Sequence, residues 1–314
     1  MNLAIIVAMV VAMNALWLSF VQVLPTTHDA LWIDGLYKKK EHAAQLIGER
    51  KKIVVIGGSG VHFGVSANVI AKATGVPSVN FRTHAALGAH YILHRAQHVL
   101  RPGDIAVLSL EHVLLDENWK PNFVFADYVN GIDWRYLLHS PLKDLLPLLY
   151  GTSPIRLLRD QALRFRPPIK GLYSIDTVTE DGDETGNGIE LVTPALREAV
   201  SREYPWQPFP RVGTTLIEEF GRQAQEMDVT LFYTWPPMME RASYREPRYS
   251  EFFSRVEQAY KQAGFITLGS VYDELYPPDA MFDTTFHLNT SSAKVHSQAV
   301  ARRLCSHLVC EPSS

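Results

Sequence analysis

Cysteine is almost missing from this sequence: Cys305 and Cys310, both near the carboxyl end, are the two in 314 residues. Two cysteines cannot build a disulfide framework, and their spacing matches neither a CxxC redox pair nor a Cys/His zinc site. Within one helix, side chains five residues apart point away from each other. A disulfide therefore requires the last helix to end between them, near Leu308. A basic excess is missing as well. The formal net charge of -3 gives no case for a nucleic-acid partner, whose binding domains are usually basic. Internal repeats and low-complexity tracts are absent. What remains is ordinary for a folded globular protein: 46% hydrophobic and 20% charged residues. The length admits one large α/β domain with an insertion, or two smaller domains.

Charge is also missing from Leu3 to Pro25. The apolar run over Leu3 to Leu24 is long enough to cross a bilayer. It lacks the positive n-region and the small-x-small site of a cleaved signal peptide. The expectation is a retained signal anchor over residues 1–25, followed by a polar stalk or docking helix within 26–51. Lys38, Lys39 and Lys40 lie within about 15–20 residues of the span, and the positive-inside rule would place them in the cytoplasm.

The chain is organised around Ile53-Val54-Val55-Ile56-Gly57-Gly58-Ser59-Gly60. Four β-branched apolar residues read as a strand buried on both faces. A tight glycine turn follows, and a helix is expected over Val61–Thr74. A serine at the carboxyl end of the first strand of an α/β sheet sits where such folds place ligands. Two readings of Ser59 stand side by side, the N-cap of that helix and a nucleophile.

Further strands are expected at Ser78–Arg82 and Ile105–Leu110, with a helix over Ala85–Leu100 between them. This β-α-β-α-β alternation predicts a parallel sheet with right-handed crossovers. From Leu114 to Pro210 the alternation lapses into short helical runs, an insertion read as packing over the carboxyl edge of the sheet. Within it Arg156, Arg159, Arg164, Arg166 and Lys170 form a basic run, either a solvated helix face or a contact for anionic polymer or lipid headgroups. Asp176–Asn187 reads as an exposed acidic loop. Regular alternation resumes with a helix at Thr214–Met227, a strand at Val229–Thr234, a helix near Arg248–Ala263, a short strand at Ile266–Leu268 and a last helix over Ser291–Leu308. The fold class is α/β: a doubly wound, three-layer α/β/α parallel sheet of flavodoxin-like type.

Between the last strand and the last helix lies Met281-Phe282-Asp283-Thr284-Thr285-Phe286-His287-Leu288-Asn289. An Asp shortly before a His can supply two partners of a catalytic triad, His287 taking the proton of Ser59 and Asp283 fixing the imidazole tautomer. Asn289 reads as the N-cap of the last helix. This order of motifs resembles the SGNH/GDSL hydrolase superfamily, in which a Ser follows the first strand and an Asp-His pair precedes the last helix. With its anchor, the chain resembles the accessory proteins of bacterial exopolysaccharide O-acetylation, relatives of the alginate and cellulose acetylation factors. The resemblance covers about Lys52–His112 and Thr214–Leu308. It implies an SGNH-like domain over 52–314 interrupted by an insertion at about 114–210. It also implies a serine acetylesterase or O-acetyltransferase that needs no cofactor or metal, acts on a polysaccharide beside a membrane-bound O-acyltransferase, and lies in the periplasm. That placement opposes the charge rule applied to Lys38–Lys40.

The sequence departs from the family pattern in two places. Asp-x-x-His has become Asp283-x-x-x-His287, and the third strand ends in Glu111-His112 rather than in an Asn. The oxyanion and site-lining candidates are therefore Gly58, Gly88, Asn80, Glu111 and His112. Loss of one oxyanion donor typically costs about two to three orders of magnitude in rate. Trp235, at the end of a strand in Trp235-Pro236-Pro237, could stack on a sugar or pack within the loop. His90, His94 and His98 share a helical face, where metal ligation competes with ordinary packing. A catalytically silent, membrane-tethered scaffold is the alternative to an enzyme.

Overall fold

The computed structural model describes residues 2–24, 26–163, 173–188 and 213–311, with Pro194 and Glu198. It divides into two compact units, Met1–Gly35 with Lys120–Lys170, and Leu36–Trp119 with Gly171–Ser314. Arg164, Arg166 and Lys170 of the basic run fall outside the described residues.

The larger unit is α/β. Its strands β1 (Ile53–Gly57), β2 (Ser78–Arg82), β3 (Ile105–Ser109), β4 (Thr230–Tyr233) and β5 (Ile266–Thr267) form one parallel sheet in the order β2-β1-β3-β4-β5. That order reverses direction at β1, the switch point at which flavodoxin-like sheets open a crevice above their carboxyl ends. Every residue of β1, β2 and β3 is buried, as expected where helices cover both faces. On one face α4 (Ala67–Thr74) packs against α11 (Thr290–Cys305) over Ile53, Val55, Ile105, Val107 and Phe232. Towards the other face lie α5 (Gly88–Gln97), α9 (Thr215–Glu226) and α10 (Pro247–Gln262), α9 touching both its neighbours. The result is a three-layer, doubly wound sheet.

The local structure departs from the expected helices in two instructive ways. The helix expected over Val61–Thr74 is two: α3 (Ser59–His62) ends at Phe63-Gly64, and α4 restarts after Ser66. Ser66 caps the restart, its Oγ accepting from Val69 N at 3.2 Å. The Asp183 carboxylate reinforces it from across the chain, accepting from Ser66 Oγ, Ala67 N and Asn68 N at 2.7, 2.6 and 3.1 Å. The Asp176–Asn187 segment is exposed at Asp176, Thr179, Glu180 and Thr185 but buries Asp183, Glu184 and Asn187. The Ala85–Leu100 helix likewise opens with a 3-10 turn at Ala85–Leu87, broken by Gly88 at φ +74°. A side chain there would be strained in backbone and would collide with Trp119.

The last helix ends at Cys305, and the chain turns back so that Cys305 and Cys310 form a disulfide. Glu311 N then donates to Thr74 O at 3.2 Å, fastening the tail to the end of α4.

The smaller unit holds α1 (Leu3–Val23), the start of α2 (His28–Leu46), α6 (Phe123–Gly131), α7 (Leu142–Tyr150) and α8 (Pro154–Leu163). The insertion is thus not one piece: residues 120–163 group with the N-terminal helix, and residues 173–188 return to the α/β unit. α1 is long and apolar enough to cross a membrane.

Candidate active site

The site begins where β1 stops. At Gly57 a Cβ would collide with the Ser109 backbone, and at Gly58 with the Glu111 carboxylate, so the Gly-Gly pair lets the neighbouring chain approach the turn. Gly58 occupies the N-cap position of α3 and Ser59 is its first helical residue. Ser59 is therefore not the cap. Its side chain is half-exposed, and among the described residues its hydroxyl makes no hydrogen bond.

The Asp283–His287 loop is a tight chain reversal. Phe282 N donates to His287 O at 2.7 Å, Asn289 N to Ala280 O at 2.9 Å, and Met281 bridges Leu288 antiparallel. This closure brings the Asp283 and His287 side chains to one side of the loop. His287 Nδ1 donates to Asp283 Oδ1 at 2.6 Å, which leaves Nε2 as the nitrogen able to take a proton. The other carboxylate oxygen accepts from the Tyr173 hydroxyl at 2.5 Å. Burial pushes the Asp283 carboxyl up, but the bonds from His287 and Tyr173 outweigh it and hold it below its ordinary value.

Phe63 joins the two loops. Its N–H donates to Ser59 O at 3.1 Å. Its ring lies 4.4 Å from the His287 ring, 5.5 Å from Tyr173 and 5.9 Å from Phe282. A Cβ at Gly60 would stand 3.3 Å from Phe286. The Ser59 turn thus packs directly against the His287 loop. No hydrogen bond joins Ser59 Oγ to His287 Nε2 in this structure. Such bonds commonly tighten only when substrate is bound.

Glu111 grips the turn from below. Its buried carboxylate accepts from Gly58 N at 3.1 Å and from Gly60 N at 2.6 Å. Of the three successive N–H groups, these two are spent and the one on Ser59 is not. Arg82, at the end of β2, reaches across Gly57 and donates from Nη1 to Gly58 O at 3.4 Å. Among the described residues its Nε and Nη2 meet no hydrogen-bond partner, although Arg82 is 1% exposed. Burial pushes the guanidinium pKa down, and Glu111 and Asp183 act against that.

The remaining expected residues take other roles. Asn80 is no oxyanion donor: its Nδ2 donates to Val65 O at 2.8 Å, and its Oδ1 accepts from Lys40 Nζ at 3.2 Å. Gly88 is no donor either, because its N–H closes the turn on Ala85 O. Glu111 serves as a loop clamp. His112 is buried between Phe252 and Phe286, 5.6 and 5.7 Å from their rings, and burial lowers its pKa from 6.5 to about 4. Trp235 is fully buried, edge-on to Tyr233 and Phe253, with Nε1 on Glu257 at 3.0 Å. It packs within the core. His98 Nδ1 donates to His94 O at 2.8 Å, which removes that nitrogen from any metal. Among the described residues no group of three or more His, Cys, Asp or Glu could hold a metal ion. Asn289 caps α11 through Ser292 N.

A buried polar chain lies beside the site. Lys40 Nζ stands 3.1 Å from His62 Nδ1, and His62 Nε2 stands 3.1 Å from Glu184 Oε2. Burial, with Lys40 next, lowers the His62 pKa to about 4. The neutral imidazole accepts from Lys40 and donates to Glu184, tying α2, α3 and the acidic segment together. Tyr173, Phe63, Arg82, His62 and Glu184 are residues the sequence did not single out. Tyr173 and Glu184 lie in the insertion, where no local pattern marks them.

No family model matches the sequence, and no curated protein matches it. A solved structure from Streptococcus pneumonia, described provisionally as a platelet activating factor, is 13% identical, the match covering 96% of this chain and 98% of that one with a TM-score of 0.36. The α/β fold given above rests on the chain's own strand order and burial.

Proposed function

We propose that this chain is a serine-dependent acyl-ester enzyme of bacterial exopolysaccharide, acting as an O-acetyltransferase or acetylesterase through an acetyl-Ser59 intermediate. The observation that carries the reading is the Asp283–His287 hydrogen bond held against the Ser59 turn. Ser59 Oγ attacks the acetyl carbonyl as its proton passes to His287 Nε2, and the imidazolium formed is stabilised through Nδ1–H by Asp283. The leaving oxygen takes that proton back. A sugar hydroxyl or water then gives its proton to His287 and attacks the acetyl-serine, returning Ser59. Tyr173 keeps Asp283 oriented and ionised. The carbohydrate class rests on the motif order Gly57-Gly58-Ser59 and Asp283/His287 in an anchored chain. α1 serves as the retained anchor, and a polysaccharide and a membrane-bound O-acyltransferase are the partners. A periplasmic domain is supported by the Cys305–Cys310 disulfide, a bond that persists in oxidising compartments. Of Lys38, Lys39 and Lys40, which argued for the opposite side, Lys38 is exposed and the other two are engaged within the α/β unit: Lys39 Nζ donates to Val178 O at 2.6 Å, and Lys40 is fully buried.

A second reading, a membrane-tethered scaffold that binds polysaccharide or an acyltransferase, is favoured by the engaged state of Gly88 N–H, Asn80 and the Gly58 and Gly60 N–H groups. The test is a fluorophosphonate probe and a small activated acetyl ester applied to the full chain. Labelling and turnover lost in both Ser59→Ala and His287→Ala establish the enzyme. No labelling of the parent refutes it in favour of the scaffold.

A further inference from the structure

The smaller unit exposes apolar residues in an order that water does not explain. On α7, Leu142, Leu146 and Tyr150 recur every four residues and so share one face, 86%, 64% and 54% exposed. Leu138 before α7 and Ile155 and Leu158 on α8 extend that exposed apolar surface. The other side of α7 is already used. Leu148 and Leu149 are buried against α6, and Asn130 Nδ2 donates to Leu148 O at 2.9 Å. Four leucines and Tyr150 thus give α7 apolar surface on both its buried and its exposed sides, and its two charged residues stand in its first turn, Asp144 buried and Lys143 exposed where a long cationic side chain reaches headgroups.

The exposed stripe runs onto α1. Tyr150 OH donates to Asn14 Oδ1 at 2.7 Å, the Trp17 ring lies 6.5 Å from Tyr150, and Trp17 Nε1 donates to Leu149 O at 2.8 Å. These contacts meet α1 part-way along its length. From Asn14 to the end of α1 at Val23 is about 14 Å at 1.5 Å per residue. If α1 crosses a bilayer, α7 therefore lies at the depth of one leaflet and not beyond the headgroups. The only polar side chain in the middle of α1, Asn14, is answered by Tyr150, as a polar group in hydrocarbon needs to be. At the rim of the unit, the Arg156 guanidinium is neutralised by two bonds to Asp127, at 2.9 and 2.6 Å, and lies 4.9 Å over the Phe123 ring. Arg159 is exposed one turn further along α8, where a long cationic side chain reaches headgroups.

We propose that the exposed apolar face of α7 and α8 is seated in the lipid leaflet beside α1, making the smaller unit membrane-embedded. This rests on the retained anchor in the function proposed above, and on nothing in its chemistry. Leu142, Leu146, Ile155 and Leu158 contact acyl chains, and Tyr150 closes the seam with α1.

The test uses the full chain, native disulfide intact, in phosphatidylcholine/phosphatidylglycerol nanodiscs. Leu146→Cys, Ile155→Cys and Val10→Cys are each labelled with an environment-sensitive fluorophore and challenged with nitroxide lipids or aqueous iodide. The expected result is loss of most of the emission with nitroxide lipids, and protection from iodide, at all three positions. Leu146 and Ile155 labels quenched by iodide while the Val10 label is quenched by lipid would overturn the proposal and leave the anchor standing. Labels at Leu146 and Ile155 reached by neither quencher would overturn it in favour of a protein partner on that face. A Val10 label quenched by iodide alone would remove the anchor itself, and the proposal with it.

Discussion

Replacing Glu111 by Ala asks whether the Ser59 turn is held by its own backbone or by a side chain from the next strand. The carboxylate is buried and accepts two N–H groups, from Gly58 and Gly60, both themselves buried. A hydrogen bond to a charged group contributes about 1.5–3 kcal/mol, so two amount to about 3–6 kcal/mol. Relief from burying the carboxylate offsets part of this, as does any water that enters the space. The net loss expected is about 3 kcal/mol. In a chain of this size that lowers the melting temperature by roughly 6–12 °C, at about 2–4 °C per kcal/mol. Glu111→Gln keeps one acceptor and turns its amide N–H2 towards the other donor, so it should fall between parent and Ala. The assay is thermal unfolding of the full chain beside the rate of fluorophosphonate labelling at Ser59. Labelling should slow by about tenfold or more in the Ala variant, because the nucleophile loses its fixed geometry. A Glu111→Ala protein that melts within about 2 °C of the parent and labels at the parental rate would refute the clamp.

Four further outcomes are expected. Tyr173→Phe keeps the ring against Phe63 but removes the bond to Asp283, so turnover of an activated acetyl ester should fall about tenfold with folding intact, in line with about 1.5–3 kcal/mol for a charged hydrogen bond; unchanged turnover excludes the role. His62 and His112 are held neutral down to about 4 against 6.5 in the unfolded chain. The unfolded state therefore binds more protons between those values, and stability is full above about pH 6.5 and lost as pH falls towards 4. At about 1.4 kcal/mol per unit the two amount to several kcal/mol. The low-held Asp283 and Glu184 act in the same direction and the raised Asp183 against it, and a urea midpoint unchanged between pH 7 and 5 contradicts this. Trp235→Phe should cost about 1–3 kcal/mol of stability through the lost bond to Glu257 and poorer packing, with KM for an oligosaccharide unchanged; a raised KM would restore Trp235 to the substrate site. Cys305→Ser with Cys310→Ser frees the tail from α4 and should lower the melting temperature by a few degrees, about 2 kcal/mol for so short a loop, leaving Ser59 labelling intact.

What the sequence determined by itself is what local pattern encodes. The apolar runs at Ile53–Ile56 and Ile105–Leu110, with the more polar Ser78–Arg82 between them, each followed by turn residues and a helix, specified parallel strands, because short, nearly continuous apolar runs alternating with helices read as strands buried on both faces. The uncharged Leu3–Leu24 run marked a helix able to cross a membrane, since twenty apolar residues have few other soluble fates. Glycines before Ser59 and an Asp–His pair before the last helix marked the two loops that sheet topology brings to one edge. Tertiary structure decided the rest. An expected helix is two, its second start capped by Ser66 and held by Asp183 through Ala67 N and Asn68 N from more than a hundred residues away, and Glu111 turned from a site-lining acid into a clamp. For Trp235 the sequence left sugar stacking and loop packing open, and the fold decides for packing in the core, because burial depends on what packs over a strand end and not on the residues beside it. Tyr173 carries no motif, and only the fold sets its hydroxyl on Asp283. A carboxylate's partner is chosen by where the chain returns in space, and that return is a property of the packed molecule.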